Sequence, residues 1–300
     1  MSGLQAVADL GTHSCLLLVG RADASGELDV VLDVCEIPRM GEGLDRTGKI
    51  GAAALVRVEG VLREYLRKTR ELGCAELVVG GTAALRRASN QGEVMQRLAG
   101  LEEPGVRLRI ELIAEADEAR YGWLAAAGGE AATCVLDVGG GSTEVVAAGG
   151  ALMRSAPLGA VVLTERLGHL GWDAMLAEAR LELACLRDTD TALDPAAPWV
   201  ALGGTPSNLA SLEMGLAAFD HLAVEGVLLG SDRAAMWGQR LAVLSLDERC
   251  KLPIEAARAE VLPAGLACMA AGFELFGPPK FRVTGRGLRY GFLSAMLKIR

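Results

Sequence analysis

The chain is poor in proline and aromatics, with 10 prolines and 4% aromatic residues against 38 glycines, and it is 51% hydrophobic and 23% charged. That balance excludes a disordered, collagenous or coiled-coil chain and leaves a globular protein. A cationic excess is missing: 30 Lys+Arg face 38 Asp+Glu, a formal charge of −8. Coating of nucleic acid or of an anionic membrane through the overall field is therefore not expected. No long apolar run is present, since Val261 to Phe276 is broken by Pro263 and Glu274. The N-terminus lacks a basic leader, and its apolar stretch is interrupted by Asp9 and His13. Neither a membrane nor a nucleic-acid partner is expected. The cysteines at 15, 35, 74, 134, 185, 250 and 268 include no close pair, which excludes a zinc knuckle or redox motif and reads as reduced thiols of a cytoplasmic protein. His13, His169 and His221 have no metal-ligand spacing, and no serine or cysteine sits in a nucleophile elbow.

What is present is a repeat. A length of 300 residues suggests about two domains. Leu4 to Leu10 is an apolar run that turns at Asp9-Leu10-Gly11-Thr12-His13-Ser14 and resumes as Cys15 to Val19, the pattern of a β-hairpin. Cys134 to Val138 enters Gly139-Gly140-Gly141-Ser142-Thr143 and leaves as Glu144 to Ala148 with the same grammar, Asp137 following Asp9 by 128 residues. A second pair, Gly80-Gly81-Thr82 and Gly203-Gly204-Thr205, recurs 123 residues apart, each expected as a turn that opens a helix. Two kinds of glycine segment in the same order at nearly the same offset indicate duplication. Helical patterns fall at about 51–72, 91–98, 115–127, 161–170, 173–186, 231–244 and 263–275. The glycine break at Gly128-Gly129-Glu130 sets the expected domains at 1–127 and 128–300, with a last helix over 288–298 that can return to pack on the first.

The triple glycine is not a dinucleotide fingerprint, because Thr143, Val145 and Val146 continue as strand where that fingerprint needs a helix. A glycine-rich hairpin instead lets an anion approach backbone N–H groups closely. Helix starts at Thr82 and Thr205 would add positive dipole ends, and Arg86 and Arg87 follow the first of them. Asp9 and Asp137 at equivalent turns would repel a phosphate unless a metal ion reconciled the charges, which suits Mg²⁺. Glu115, Asp117, Glu118 and Arg120 open a helix, and Glu144 closely follows the triple glycine. Each of these acids taken alone has an ordinary reading as a dipole complement.

In this order the segments resemble the exopolyphosphatase and guanosine pentaphosphate phosphohydrolase (Ppx/GppA) family of the actin-like ATPase superfamily. The resemblance runs through Asp9 to Ser14, Gly41-Glu42-Gly43-Leu44, Thr47 to Ile50, Gly81 to Arg86, Glu118-Ala119-Arg120, Asp137 to Glu144, Leu158-Gly159, Thr164-Glu165, Gly203-Gly204-Thr205, Leu262 to Gly265 and Gly287-Leu288-Arg289. It implies an α/β fold of two duplicated ribonuclease-H-like domains around an interdomain cleft, in the short two-domain form. It makes Glu118 the catalytic base and Asp137 and Glu144 the metal-side carboxylates, to which Asp9 is added from its place at the equivalent turn. Gly11, Thr12, His13, Ser14, Arg86, Gly139, Gly140, Gly141, Ser142, Thr143, Gly204, Thr205 and Arg289 become the phosphate site.

The implied activity is Mg²⁺-dependent release of orthophosphate from the end of inorganic polyphosphate. The alternatives are guanosine pentaphosphate hydrolysis, a non-catalytic binder of polyphosphate or an alarmone, and a nucleotide-driven enzyme of the superfamily. The expected partners are polyphosphate or guanosine pentaphosphate and a second copy of the chain in a homodimer. The chain departs from the family pattern at His13 and Leu16, where Asn and a basic residue are usual, and at Tyr290, where Glu is usual. A phosphate-binding cation of the pattern is thus missing, with His13 or Arg286 as candidate replacements.

Overall fold

A computed structural model describes residues 3–128, 130, 132–150, 153–187 and 193–299. The chain divides into two compact units, Met1–Tyr121 with Leu288–Arg300, and Gly122–Gly287. The division falls inside the helix Glu115–Ala127 rather than after it at 127/128. Of the glycine break expected there, Gly129 lies outside the described residues.

Eleven strands are present among the described residues: β1 (Gln5–Leu10), β2 (Cys15–Ala22), β3 (Leu28–Glu36), β4 (Glu76–Gly81), β5 (Arg107–Leu112), β6 (Cys134–Val138), β7 (Thr143–Val146), β8 (Met153–Ala156), β9 (Trp199–Leu202), β10 (Leu228–Gly230) and β11 (Lys280–Thr284). The first unit holds a five-stranded sheet in the order β3-β2-β1-β4-β5. Its first three strands are antiparallel neighbours, and β4 and β5 join β1 in parallel. The second unit repeats this order as β8-β7-β6-β9-β11 and adds β10 antiparallel at the β11 edge. The duplication is therefore one of topology as well as of turns, and the fold is the duplicated ribonuclease-H-like α/β architecture.

In the first unit, the helix Ala52–Glu71 buries Leu55, Val58, Leu62, Tyr65, Leu66 and Thr69, a three-and-four spacing that makes one apolar face. Tyr65 also donates its hydroxyl to the Cys15 carbonyl at 2.7 Å, so the helix is tied to the strand after the first turn. The other sheet face is covered by the helix Leu288–Leu297, whose Leu288, Phe292 and Leu293 pack with Val7, Leu18, Val78 and Ile113. The second unit is centred on the helix Leu262–Phe276, which is buried on nearly every side. No described helix is long and apolar enough to cross a membrane.

One expected turn is strand instead. Gly80 and Gly81 end β4, where a side chain at Gly80 would strike Ile113 and one at Gly81 would strike Leu85. Packing explains both glycines. The helix they precede, Ala83–Arg87, is a single short turn and no anion seat.

Candidate active site

The two hairpin turns are built alike. Gly11 N–H donates to the Ser14 carbonyl at 2.9 Å and Gly139 N–H to the Ser142 carbonyl at 3.0 Å. In the first unit the segment 39–43 backs the turn: Arg39 and Gly41 donate their N–H groups to the His13 and Thr12 carbonyls. Arg39 takes a left-handed backbone, φ 53°, costly for a residue with a side chain. His13 and Thr12 are buried and Ser14 is half-exposed. The Thr12 hydroxyl is enclosed without a hydrogen-bond partner among the described residues, a donor suited to an arriving anion.

In the second unit the triple glycine is held from behind by the helix Ala160–Leu167, whose first N–H groups bond the Gly139 and Gly140 carbonyls. Gly159 passes so close that a Cβ there would lie 2.5 Å from the Gly139 oxygen. Thr143 is buried and its hydroxyl donates to the Leu158 carbonyl at 2.7 Å. That hydroxyl fixes the hairpin and is not the phosphate donor expected for it; Ser142 is buried beside it. The helix Gly204–Met214 starts as anticipated, after a Gly203 whose φ of +100° favours glycine. Thr205 is buried against Gly265, and Gly204 lies under the Arg258 guanidinium. Arg258 pairs with Glu255 at 2.5 Å, and Asn208 bridges Glu255 to the Gly204 carbonyl. Arg258 is a cation at this turn that the sequence reading missed, since it arrives from 54 residues downstream.

Glu118 receives Arg86 Nη1 at 2.5 Å, and the same nitrogen donates to the Ile113 carbonyl at 2.8 Å. Burial pushes the Glu118 carboxyl above its ordinary range, and Arg86 and the Thr82 hydroxyl offset this only in part. Asp9, in the same unit, is raised to about 7 by burial and by Glu118, while Arg289 pulls it down. Asp137 stands directly opposite Glu144 in the β6–β7 register, so the two carboxylates share a sheet face. Glu144 is buried and accepts the Ser155 hydroxyl at 2.8 Å.

The arginines singled out for phosphate in the sequence are each near an acid. Arg86 holds Glu118, Arg87 holds Asp45 at 2.8 Å, and Arg289 holds Asp33 through two bonds of 2.8 Å. Arg286 stands 3.8 Å from Glu225 and is 60% exposed. Each of these arginines is thus balanced by an acid of its own unit.

The donors suit a hard, oxygen-binding ion. Like charges directly opposite in a sheet repel, and a shared Mg²⁺ would relieve Asp137 and Glu144; a half-buried acid such as Asp9 likewise gains from a nearby cation. No cluster of three or more His, Cys, Asp or Glu residues converges among the described residues.

Duplicated sheets, each with a glycine turn two residues after an aspartate, place the chain in the ribonuclease-H-like fold class. Comparison with known families matches residues 18–299 to the Ppx/GppA phosphatase family, and the chain belongs to that family. It is 32% identical to exopolyphosphatase 2 of Mycobacterium tuberculosis, over 87% of this chain and 86% of the relative. It is 29% identical to guanosine-5'-triphosphate,3'-diphosphate pyrophosphatase of Aeromonas hydrophila, over 99% of this chain but 60% of that protein. The chain thus spans about 60% of the length of that relative. Among solved structures, the Aquifex aeolicus Ppx/GppA family member has a TM-score of 0.76 at 28% identity, over 99% of this chain and 98% of that one.

Proposed function

We propose that the protein is an exopolyphosphatase that hydrolyses the terminal phosphoanhydride bond of inorganic polyphosphate. The observation that carries this reading is Glu118: a largely buried carboxylate held by Arg86 and Thr82, with its proton affinity raised. Such a group is fixed in direction and, with its proton affinity raised, is a better proton acceptor than an exposed carboxylate.

In this reading water gives its proton to Glu118 and attacks the terminal phosphorus. The bridging P–O bond breaks, and orthophosphate leaves a chain shortened by one unit. The Gly11 and Gly139 turns bind phosphate oxygens, with Thr12, His13, Ser14, Gly140, Gly141 and Ser142 completing them and Gly204, Thr205 and Arg258 contributing at the second glycine turn. Backbone donors of this kind stabilise charge spreading over the phosphoryl oxygens without reorganisation. Asp9, Asp137 and Glu144 are the carboxylates that would serve Mg²⁺, which when bound supplies charge neutralisation on the phosphate. Arg86 and Arg289 act here through their acids, as partners of Glu118 and Asp33.

The second reading, guanosine pentaphosphate hydrolysis, is supported by the similarity to the Aeromonas pyrophosphatase. A homodimer and a cytoplasmic location complete the proposal. The deciding experiment is orthophosphate release from polyphosphate, guanosine pentaphosphate and ATP in parallel, with Mg²⁺ and with chelator. Release from polyphosphate first and fastest supports the proposal, preference for the guanosine compound selects the second reading, and release from none identifies a binder.

A further inference from the structure

The helix Leu288–Leu297 does more than cover the first sheet. On β1, Val7 and Asp9 are two residues apart and share a face, and Val7 faces this helix through Leu288, Phe292 and Leu293. Leu18 lies opposite Val7 and Asp33 opposite Leu18, so Asp33, Leu18, Val7 and Asp9 all belong to the helix-covered face. The helix begins with Arg289 and Tyr290. Arg289 is 7% exposed, and its Nε and Nη2 each donate to a different oxygen of Asp33 at 2.8 Å. Tyr290 donates its hydroxyl to Asp33 Oδ2, also at 2.8 Å, and its ring lies 4.9 Å from the Arg289 guanidinium carbon.

We infer that Asp33 and Tyr290 are positioning residues, which hold the Arg289 guanidinium in place on the sheet face that carries Asp9. The inference rests on the phosphohydrolase reading for its kinetic consequence. A two-bond fork fixes a guanidinium in plane and direction, which a single bond does not. The fork aims at Asp33, which lies on the same sheet face as Asp9. Leu16, the residue opposite Asp9 on β2, brings no charge to that neighbourhood. The tyrosine suits this arrangement, because its hydroxyl donates to Asp33 where an acid at the same place would compete with it for the arginine.

The test is a double-mutant cycle on phosphate release, normalised to folded protein by circular dichroism. Asp33→Asn removes the charge that holds the fork and keeps the side-chain volume. It should lower kcat about tenfold with KM for polyphosphate nearly unchanged, the scale of losing a charge-assisted hydrogen bond. Tyr290→Phe should lower kcat about threefold. In an Arg289→Gln background, Asp33→Asn should have no further effect. Independently of activity, the Arg289 Nε–H should give a slowly exchanging ¹⁵N resonance in the wild-type protein that is lost in Asp33→Asn. Independent, multiplying effects of Asp33→Asn and Arg289→Gln, or wild-type kcat in both Asp33→Asn and Tyr290→Phe, would overturn the inference. No phosphate release by the wild-type protein from any phosphoanhydride would instead overturn the functional reading, and the resonance would then report the clamp alone.

Discussion

Leu16 and Glu144 occupy equivalent positions in the two sheets: each stands directly opposite the aspartate of its hairpin, Leu16 opposite Asp9 and Glu144 opposite Asp137. Duplication has kept the frame and changed its charge. The hairpin of the first unit carries a half-buried aspartate beside an apolar neighbour, and that of the second carries two acids face to face.

Relieving that second pair should have a definite sign. Glu144→Gln removes a like-charge repulsion, so the metal-free protein should gain about 0.5 kcal/mol of stability, while the Mg²⁺ concentration for half-maximal activity rises. Chemical unfolding without metal and an Mg²⁺ titration of turnover measure the two effects. A variant less stable than wild type and unaltered in its Mg²⁺ requirement would separate Glu144 from the metal.

Asp9 predicts a pH dependence. Its folded carboxyl is raised to about 7, above the ordinary value of about 4. The folded state therefore binds the proton more tightly, and the stability this gives is complete at low pH and lost as pH rises through about 7. Asp9→Asn should flatten that slope. Mg²⁺ should stabilise the wild-type protein progressively more across the same interval, because it competes with the proton. Thermal midpoints at pH 5 and pH 8 with and without Mg²⁺ check this, and parallel wild-type and Asp9→Asn curves would refute it.

Arg86→Gln leaves Glu118 largely buried without its cation, a change that costs about 3–5 kcal/mol in ion pairs of this kind. Adding Glu118→Gln should recover much of that loss, so the double variant should be the more stable of the two. Urea midpoints decide it. Equal midpoints would mean that Arg86 stabilises the fold through the Ile113 carbonyl rather than through Glu118.

Gly159→Ala tests the backing of the triple glycine. A Cβ there would press on Gly139, Gly140 and Ser142, so the hairpin must shift. A misplacement of about 1 Å can cost about a hundredfold in rate, and that loss is expected with the fold retained. Wild-type turnover in a folded Gly159→Ala protein would show that hairpin geometry is not limiting.

The sequence carried the frame of this molecule because its signals are local. The Asp-x-Gly hairpins at Gly11 and Gly139 and the helix at 115–127 are each written in one short continuous stretch of sequence, and they stand where expected. The strands β3, β8, β10 and β11 are not legible in the sequence, since β8, β10 and β11 are only three to five residues long and β3, at a sheet edge, has no fully buried residue and no regular alternation. The two Gly-Gly-Thr segments looked alike in sequence, but one is packed strand and the other a helix start. The acid partners of the arginines were not legible, because Arg86 meets Glu118 across 32 residues and Arg289 meets Asp33 across 256. Only folding brings such pairs together.

The most direct test of the central claim is the rate of orthophosphate release from polyphosphate by wild-type and Glu118→Gln proteins at saturating Mg²⁺, with tripolyphosphate binding measured on the same samples. Loss of a general base costs about 10² to 10⁴ in rate. The account predicts that loss with binding preserved; full turnover in a folded Glu118→Gln protein would contradict it.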